Sequence, residues 1–170
     1  MKKHVLAVLV ENRAGALSRV SGLFSRRGFN IDSLTVGETE NPAVSRMTIV
    51  AEGDDAALEQ IIKQLDKLVD VIVVRGLSGA SYIKREIMLV KVQADEKNRS
   101  NIVEIAAIFR SRIIDISPTT ITMEATGSME KIDSFLQLLR PYGVLETART
   151  GSVALERGSS VLTVDAPPQS

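Results

Sequence analysis

The sequence predicts an α+β protein of two consecutive ferredoxin-like βαββαβ domains, each an antiparallel sheet with its helices on one face. The first observation is the periodicity of apolar residues in 5–74, which predicts strand, helix, strand, strand, helix and strand. The second is that this pattern restarts at residue 85, with an offset of 83 residues that aligns Asp32 with Asp115. The repeat is structural only, because Asn98 occupies the position that matches Gly15.

The elements of the first half follow from turn residues and from apolar spacing. Residues 5–10 are all apolar, which predicts a strand covered on both faces and an open sheet face or edge that another domain or subunit covers. A helix then ends at Gly28, and strands at 30–39 and 45–52 form a hairpin through the turn 40–43. A second helix begins at 53–55, and a strand follows it at 69–74. The apolar helix positions are Leu17, Val20, Leu23 and Phe24, then Leu58, Ile61, Ile62, Leu65 and Leu68.

The second half carries the same series of elements. The pattern predicts a strand at 85–94, a helix at 100–112, strands at 113–116 and 119–125, a helix opened by Gly127 and Ser128, and a last strand at 144–150. Gly76 to Ser81 has little apolar periodicity and is interpreted as a linker. The predicted organisation is therefore a first domain at 1–76, a linker at 77–84, a second domain at 85–158 and a frayed tail at 159–170.

Composition limits the chemistry that the chain can perform. Lys plus Arg and Asp plus Glu both number 21, so no charge imbalance indicates a nucleic acid or a membrane surface as partner. The sequence has no cysteine, which excludes disulfides and thiol catalysis, and its single histidine, His4, is expected at a surface or strand edge. There is no membrane span or signal-peptide core, no metal-ligand spacing and no paired carboxylates beside a nucleophile. We therefore expect a cytoplasmic protein without a catalytic site or a metal.

The candidate functional stretch is residues 11–33, a polar turn followed by an amphipathic helix. The turn from Asn12 to Gly15 precedes the helix, whose first backbone N–H groups lack intrahelical partners and lie at the positive end of the helix dipole. Such a turn can hold a small carboxylate. The alternative is that Asn12 only caps the helix and Gly15 only relieves a tight turn.

The first half resembles an ACT domain, and the whole chain resembles the small regulatory subunits of acetolactate synthase, also called acetohydroxyacid synthase. The match covers residues 2–158 and rests on the segments 11–20, 22–36, 45–49, 67–71 and 85–92. The resemblance implies a protein without catalysis of its own. It implies binding to a catalytic subunit that uses thiamine diphosphate, magnesium and a flavin, activation of that subunit, and feedback inhibition by valine.

The resemblance also implies where the effector binds. In this family two ACT domains pair side by side into an eight-stranded sheet, and the effector lies at their seam. Carried over to this sequence, one chain provides Asn12, Ala14, Gly15, Ala16, Leu17 and Ser18, and its partner provides Asn30 and Ile31. The sequence leaves open whether leucine and isoleucine bind as well, since one methylene is worth about 1–3 kcal/mol. The alternative function is a free-standing ACT-type sensor that regulates a different amino-acid enzyme.

Overall fold

The computed structural model describes residues 2–77 and 81–167. The chain forms two compact units, one comprising Met1–Ile83 with Val153–Ser170 and the other Lys84–Ser152. The second domain is expected to extend to residue 158, but its last segment, 153–158, belongs to the first unit. Part of the expected linker, residues 78–80, lies outside the described residues.

The first unit contains an antiparallel sheet with the strand order β2-β3-β1-β4. Its elements are β1 (Lys2–Glu11), α1 (Ala16–Arg26), β2 (Ile31–Glu38), β3 (Val44–Gly53), α2 (Asp55–Leu65) and β4 (Val71–Gly76), with β9 (Val153–Glu156) near the end of the chain. Even-numbered residues of β1 pack with apolar residues of both helices, among them Leu6, Val8, Val20 and Phe24. This confirms the predicted βαββαβ order with the helices on one face.

Local signals place both helices as the sequence predicts. Helix α1 ends at Arg26, and Gly28 follows in the left-handed region at φ 72°. Asp54 is the N-cap of α2, where its carboxylate accepts a hydrogen bond of 2.7 Å from the N–H of Ala57. The hairpin between β2 and β3 turns at the expected place, through a turn in which Thr39 and Val44 are hydrogen-bonded.

The other face of this sheet is covered by residues 153–167 of the same chain, which we call the C-terminal segment. Val5 and Ala7 of β1 pack in a cluster with Ala154 and Leu162. Leu162 also packs beside Leu9. The continuous apolar run 5–10 is therefore buried on both faces, as predicted, but its cover does not have to come from another domain or subunit. The tail that was expected to fray contributes Leu162 to this cover.

The second unit has an antiparallel sheet that follows the order β6-β7-β5-β8. Its elements are β5 (Tyr82–Gln93), α3 (Arg99–Ile108), β6 (Arg112–Ile116), β7 (Thr120–Gly127), α4 (Met129–Leu139), a 3-10 turn (Arg140–Tyr142) and β8 (Val144–Arg149). Its core includes Met88, Ile102 and Phe135, and the rings of Phe109 and Phe135 lie 5.1 Å apart. Ser128 caps α4 by accepting a hydrogen bond from the N–H of Lys131, as its position before the helix predicts.

Three local predictions are wrong. The helix predicted at 100–112 ends at Ile108, because Arg110 adopts the left-handed region at φ 53°. The strand predicted from Val69 begins at Val71, and Val69 is 80% exposed in the turn before it. His4 is buried, because β1 lies inside the sheet, and its Nε2 donates to the carbonyl oxygen of Gly53 at 3.0 Å.

In the described part of the chain, no helix has the length and apolar character needed to cross a membrane.

Candidate ligand-binding site

The turn before α1 has the conformation that a glycine permits. Gly15 is the N-cap of α1 and lies in the left-handed region at φ 87°. Glycine has no side chain with which to cap the helix. The Nδ2 of Asn12 donates instead to Glu38 Oε1 at 3.1 Å and to the carbonyl oxygen of Pro42 at 2.9 Å. The interpretation of Asn12 as a helix cap is therefore wrong, whereas Gly15 does provide the tight turn.

Several N–H groups of this turn remain available to a ligand. The N–H of Ala16 donates to Arg13 O at 3.3 Å, and that of Arg19 donates to Gly15 O at 3.0 Å. Across residues 2–77 and 81–167, the N–H groups of Ala14, Gly15, Leu17 and Ser18 donate to no other group. They lie at the positive end of the α1 dipole, where an anion is favoured. The turn can therefore accept a small carboxylate.

A cluster of charged side chains lies beside the turn. Asp70, just before β4, has a side chain that is only 1% exposed, and it accepts a hydrogen bond from Nε of Arg19. Nε of Arg13 lies 3.6 Å from the other carboxylate oxygen of Asp70. Chiefly through its hydrogen bond, Arg19 lowers the pKa of Asp70 below its ordinary value of 3.8, so the carboxylate is charged at neutral pH.

Arg19 also contacts the turn itself. Its Nη2 donates to the carbonyl oxygen of Ala14 at 3.3 Å. A Cβ atom added to Gly15 would lie 2.7 Å from its Nη1. The pair of Arg19 and Asp70 therefore fixes a guanidinium group directly against Gly15, and a side chain at position 15 would displace it.

Leu17 is 44% exposed, although its spacing on the helix predicts a core position. Ala16 is buried beside Val20 instead, because Ala16 lies four residues before Val20 on the face of the helix that also carries Leu23 and Phe24. The Leu17 side chain is thus available for contact with a ligand or a second chain.

Asn30 and Ile31 lie at the other end of the sheet from this turn. Ile31 pairs with Ala51, which pairs with His4 at the start of β1, whereas Gly15 follows the end of the same strand. Glu11 follows His4 by seven steps along β1, which corresponds to about 24 Å at roughly 3.4 Å per residue. One chain therefore does not bring the two groups of predicted residues together, and only the group from Asn12 to Ser18 is contiguous.

Two family models match the chain. The model described as an AHAS small subunit-like ACT domain matches residues 6–73, and the one described as the small subunit of acetolactate synthase matches residues 85–158. A protein of Methanothermobacter thermautotrophicus named "Probable acetolactate synthase small subunit" is 56% identical over 94% of this chain and 95% of its own length. The chain belongs to the acetolactate synthase small-subunit family.

Other acetolactate synthase small subunits agree in sequence and in fold. The isozyme 3 small subunit of Escherichia coli is 48% identical over 94% of this chain and 99% of its own length. The crystal structure of the small subunit from Thermotoga maritima matches with a TM-score of 0.87 and 41% identity, covering 94% of this chain and all of that chain. Both domains of this chain therefore have counterparts in the family.

Sequence reasoning missed Asp70 and the role of Arg19 in this small subunit. Asp70 stands inside the run 69–74, for which the sequence predicts a strand, and Arg19, Arg26 and Arg27 together resemble an ordinary basic face of a solvent-exposed helix. A lone carboxylate in an apolar run was the available signal, because a buried charge needs a partner. Its partner is 51 residues away in the chain, so local spacing could not identify it.

Proposed function

We propose that this chain is a non-catalytic regulatory subunit that activates the catalytic subunit of acetolactate synthase and makes it sensitive to valine. The observation that carries the proposal is the open turn before α1, found in a chain of the small-subunit family. Thiamine diphosphate, magnesium and FAD are then cofactors of the catalytic subunit. This chain supplies regulation and no reacting group.

The chemistry of the turn suits the two charged ends of an amino acid. The free N–H groups of Gly15, Leu17 and Ser18 are donors for a carboxylate. The amide of Asn12 uses Nδ2 for its two hydrogen bonds, which leaves Oδ1 as an acceptor for an ammonium group. Leu17 offers apolar contact to a small branched side chain. These features support valine as the effector.

The position of β2 supports a site built from two chains. Strand β2 is an edge strand that pairs with β3 on one side only. Two-fold antiparallel pairing of β2 with a second copy, centred between Leu34 and Thr35, would set Ile31 opposite Glu38 of the partner subunit. Glu38 accepts a hydrogen bond from Asn12 of its own chain. The same pairing would therefore bring Asn30 and Ile31 of one chain beside the turn of the other, and would form one eight-stranded sheet.

Regulation then follows from differential binding. Valine held by both chains favours the dimer geometry that closes the seam. It inhibits the catalytic subunit to the extent that this geometry has a different affinity for the active and inactive forms of that subunit.

The experiment is to assay acetolactate formation by the matching catalytic subunit alone, with this protein, and with this protein plus valine. We expect the rate to rise on adding the protein and to fall on adding valine. If neither step changes the rate, the proposal is wrong, and a free-standing ACT-type sensor of a different enzyme becomes the better account.

A further inference from the structure

A cavity of about 590 Å³ lies in the first unit, between the outer face of the sheet and the C-terminal segment. Its floor is formed by apolar side chains of the sheet, including Ala7, Leu9 and Val44. Leu155 and Leu162 of the C-terminal segment cover it. This volume is in the range of small-molecule sites in proteins, and a mostly apolar lining is typical of them. The cavity lies on the face of the sheet opposite the helices and is distinct from the turn before α1.

One cationic side chain in the cavity wall forms no direct ion pair within residues 2–77 and 81–167. Nη2 of Arg46 donates to the carbonyl oxygen of Ala154 at 2.7 Å. In the part of the chain that the structure describes, no carboxylate lies within ion-pairing distance of Arg46. Burial is the main cause that lowers the pKa of the Arg46 guanidinium; the charge of Glu156 opposes this lowering, and the charge of Arg75 adds to it. Removing this group from water is therefore only partly compensated.

The acidic groups around the cavity balance only part of the positive charge there, because Arg46 and Arg75 share the single carboxylate of Glu156. Glu156, in the wall, is held by Arg75 at 2.9 Å. Glu38 and Glu40 also line the cavity, but both are exposed to solvent at its mouth. An anion bound at Arg46 would meet a guanidinium group whose charge Glu156 balances only in part, whereas a second negative charge at the mouth would meet the carboxylates of Glu38 and Glu40.

We propose that this cavity binds a monocarboxylate with an apolar chain, with its carboxylate on Arg46 and its chain against the exposed apolar side chains of the C-terminal segment that line the cavity. The guanidinium group presents N–H donors in the planar arrangement that matches a carboxylate. The bound chain would bury apolar area of Leu155 and Val161, which line the cavity and are 60% and 66% exposed, and so would hold the C-terminal segment against the sheet. This second ligand site does not depend on the proposed valine site.

The test is calorimetric titration of the full-length protein with three eight-carbon probes: octanoate, 1-octanol and suberate. We expect octanoate to bind at least about tenfold more tightly than either of the others, because octanol lacks the charge and suberate carries a second one. Equal affinity for octanoate and octanol, or no binding of octanoate at millimolar concentration, would overturn the proposal. This comparison uses the unmodified protein and does not depend on the folding of a variant.

Two further readouts locate the site. Octanoate should shift the methyl NMR signals of Leu155 and Val161 and should slow tryptic cleavage after the exposed Arg157 in the C-terminal segment. Arg46→Gln should reduce octanoate affinity about tenfold and leave octanol affinity unchanged, while the matched control Arg26→Gln, on the exposed side of α1, should change neither. Unchanged octanoate affinity in Arg46→Gln, or shifts confined to methyl groups outside the cavity, would refute the assignment. A failure of valine regulation would not affect these outcomes.

Discussion

Substituting Gly15 by Asp tests whether the turn before α1 binds the carboxylate of the effector. Gly15 has φ 87°, so a side chain there costs roughly 1–2 kcal/mol of backbone strain. Its Cβ would lie 2.7 Å from Nη1 of Arg19, so the guanidinium group, which Asp70 holds, has to shift. The new carboxylate would then stand at the N-terminus of α1, where the effector's own carboxylate is proposed to bind.

The expected result is a large loss of valine affinity with a modest loss of stability. Losing one hydrogen bond to a charged group, about 1.5–3 kcal/mol, lowers affinity by about 10-fold to 100-fold. Valine inhibition of the reconstituted enzyme and calorimetric binding to the isolated subunit both measure it. Urea unfolding measures the strain separately, and activation without valine reports whether the variant still binds the catalytic subunit.

Gly158→Asp is the matched control, because Gly158 is also left-handed, at φ 71°, and has open space around its Cβ position. It adds the same strain and the same charge far from α1 in the sequence, and it should keep wild-type valine sensitivity. Full valine sensitivity of Gly15→Asp would refute the placement of the site.

Three further substitutions test the supporting structure. Asp70→Asn should weaken valine binding, because it frees Arg19. The pKa of Asp70 is lowered in the folded state, so the wild type should be more stable than this variant by a constant amount above about pH 5. Urea unfolding across pH should show that this difference in the free energy of unfolding shrinks below pH 3.8. Ser128→Ala should cost about 1 kcal/mol through loss of the α4 cap, with valine affinity unchanged by calorimetry. Arg110→Gly should raise the free energy of unfolding by about 0.5–1 kcal/mol, since a left-handed glycine carries no Cβ strain; a lower value would contradict the role given to φ 53°.

The order of elements could be predicted because its signals are local. The caps at Asp54 and Ser128 stand beside the helices that they begin, and Gly28 stands where α1 ends. The apolar run 5–10 correctly predicted a strand buried on both faces. Its cover could not be predicted, because Leu162 lies more than 150 residues away in the chain and its segment has no periodic pattern.

The candidate site could be predicted only in part for the same reason. The turn at Gly15 is contiguous in sequence, and its conformation follows from residue type. The ion pair of Arg19 and Asp70 joins residues that only the fold brings together. Ile31 lies at the opposite end of the sheet from Gly15, so neither the sequence pattern nor one folded chain explains how it could share a ligand with the turn. A ligand that contacts both Ile31 and the turn would need a second chain.

The most direct test of the central claim is therefore a mixed dimer of Gly15→Asp and Asn30→Ala chains. Each parent homodimer should bind valine at least about tenfold more weakly than wild type. If each site combines the turn of one chain with Asn30 of the other, a mixed dimer has one site with both substitutions and one site with neither. Calorimetry on heterodimers isolated with two affinity tags should then show one valine bound per dimer with wild-type affinity. Heterodimers that bind no better than the parents would contradict a site shared between two chains.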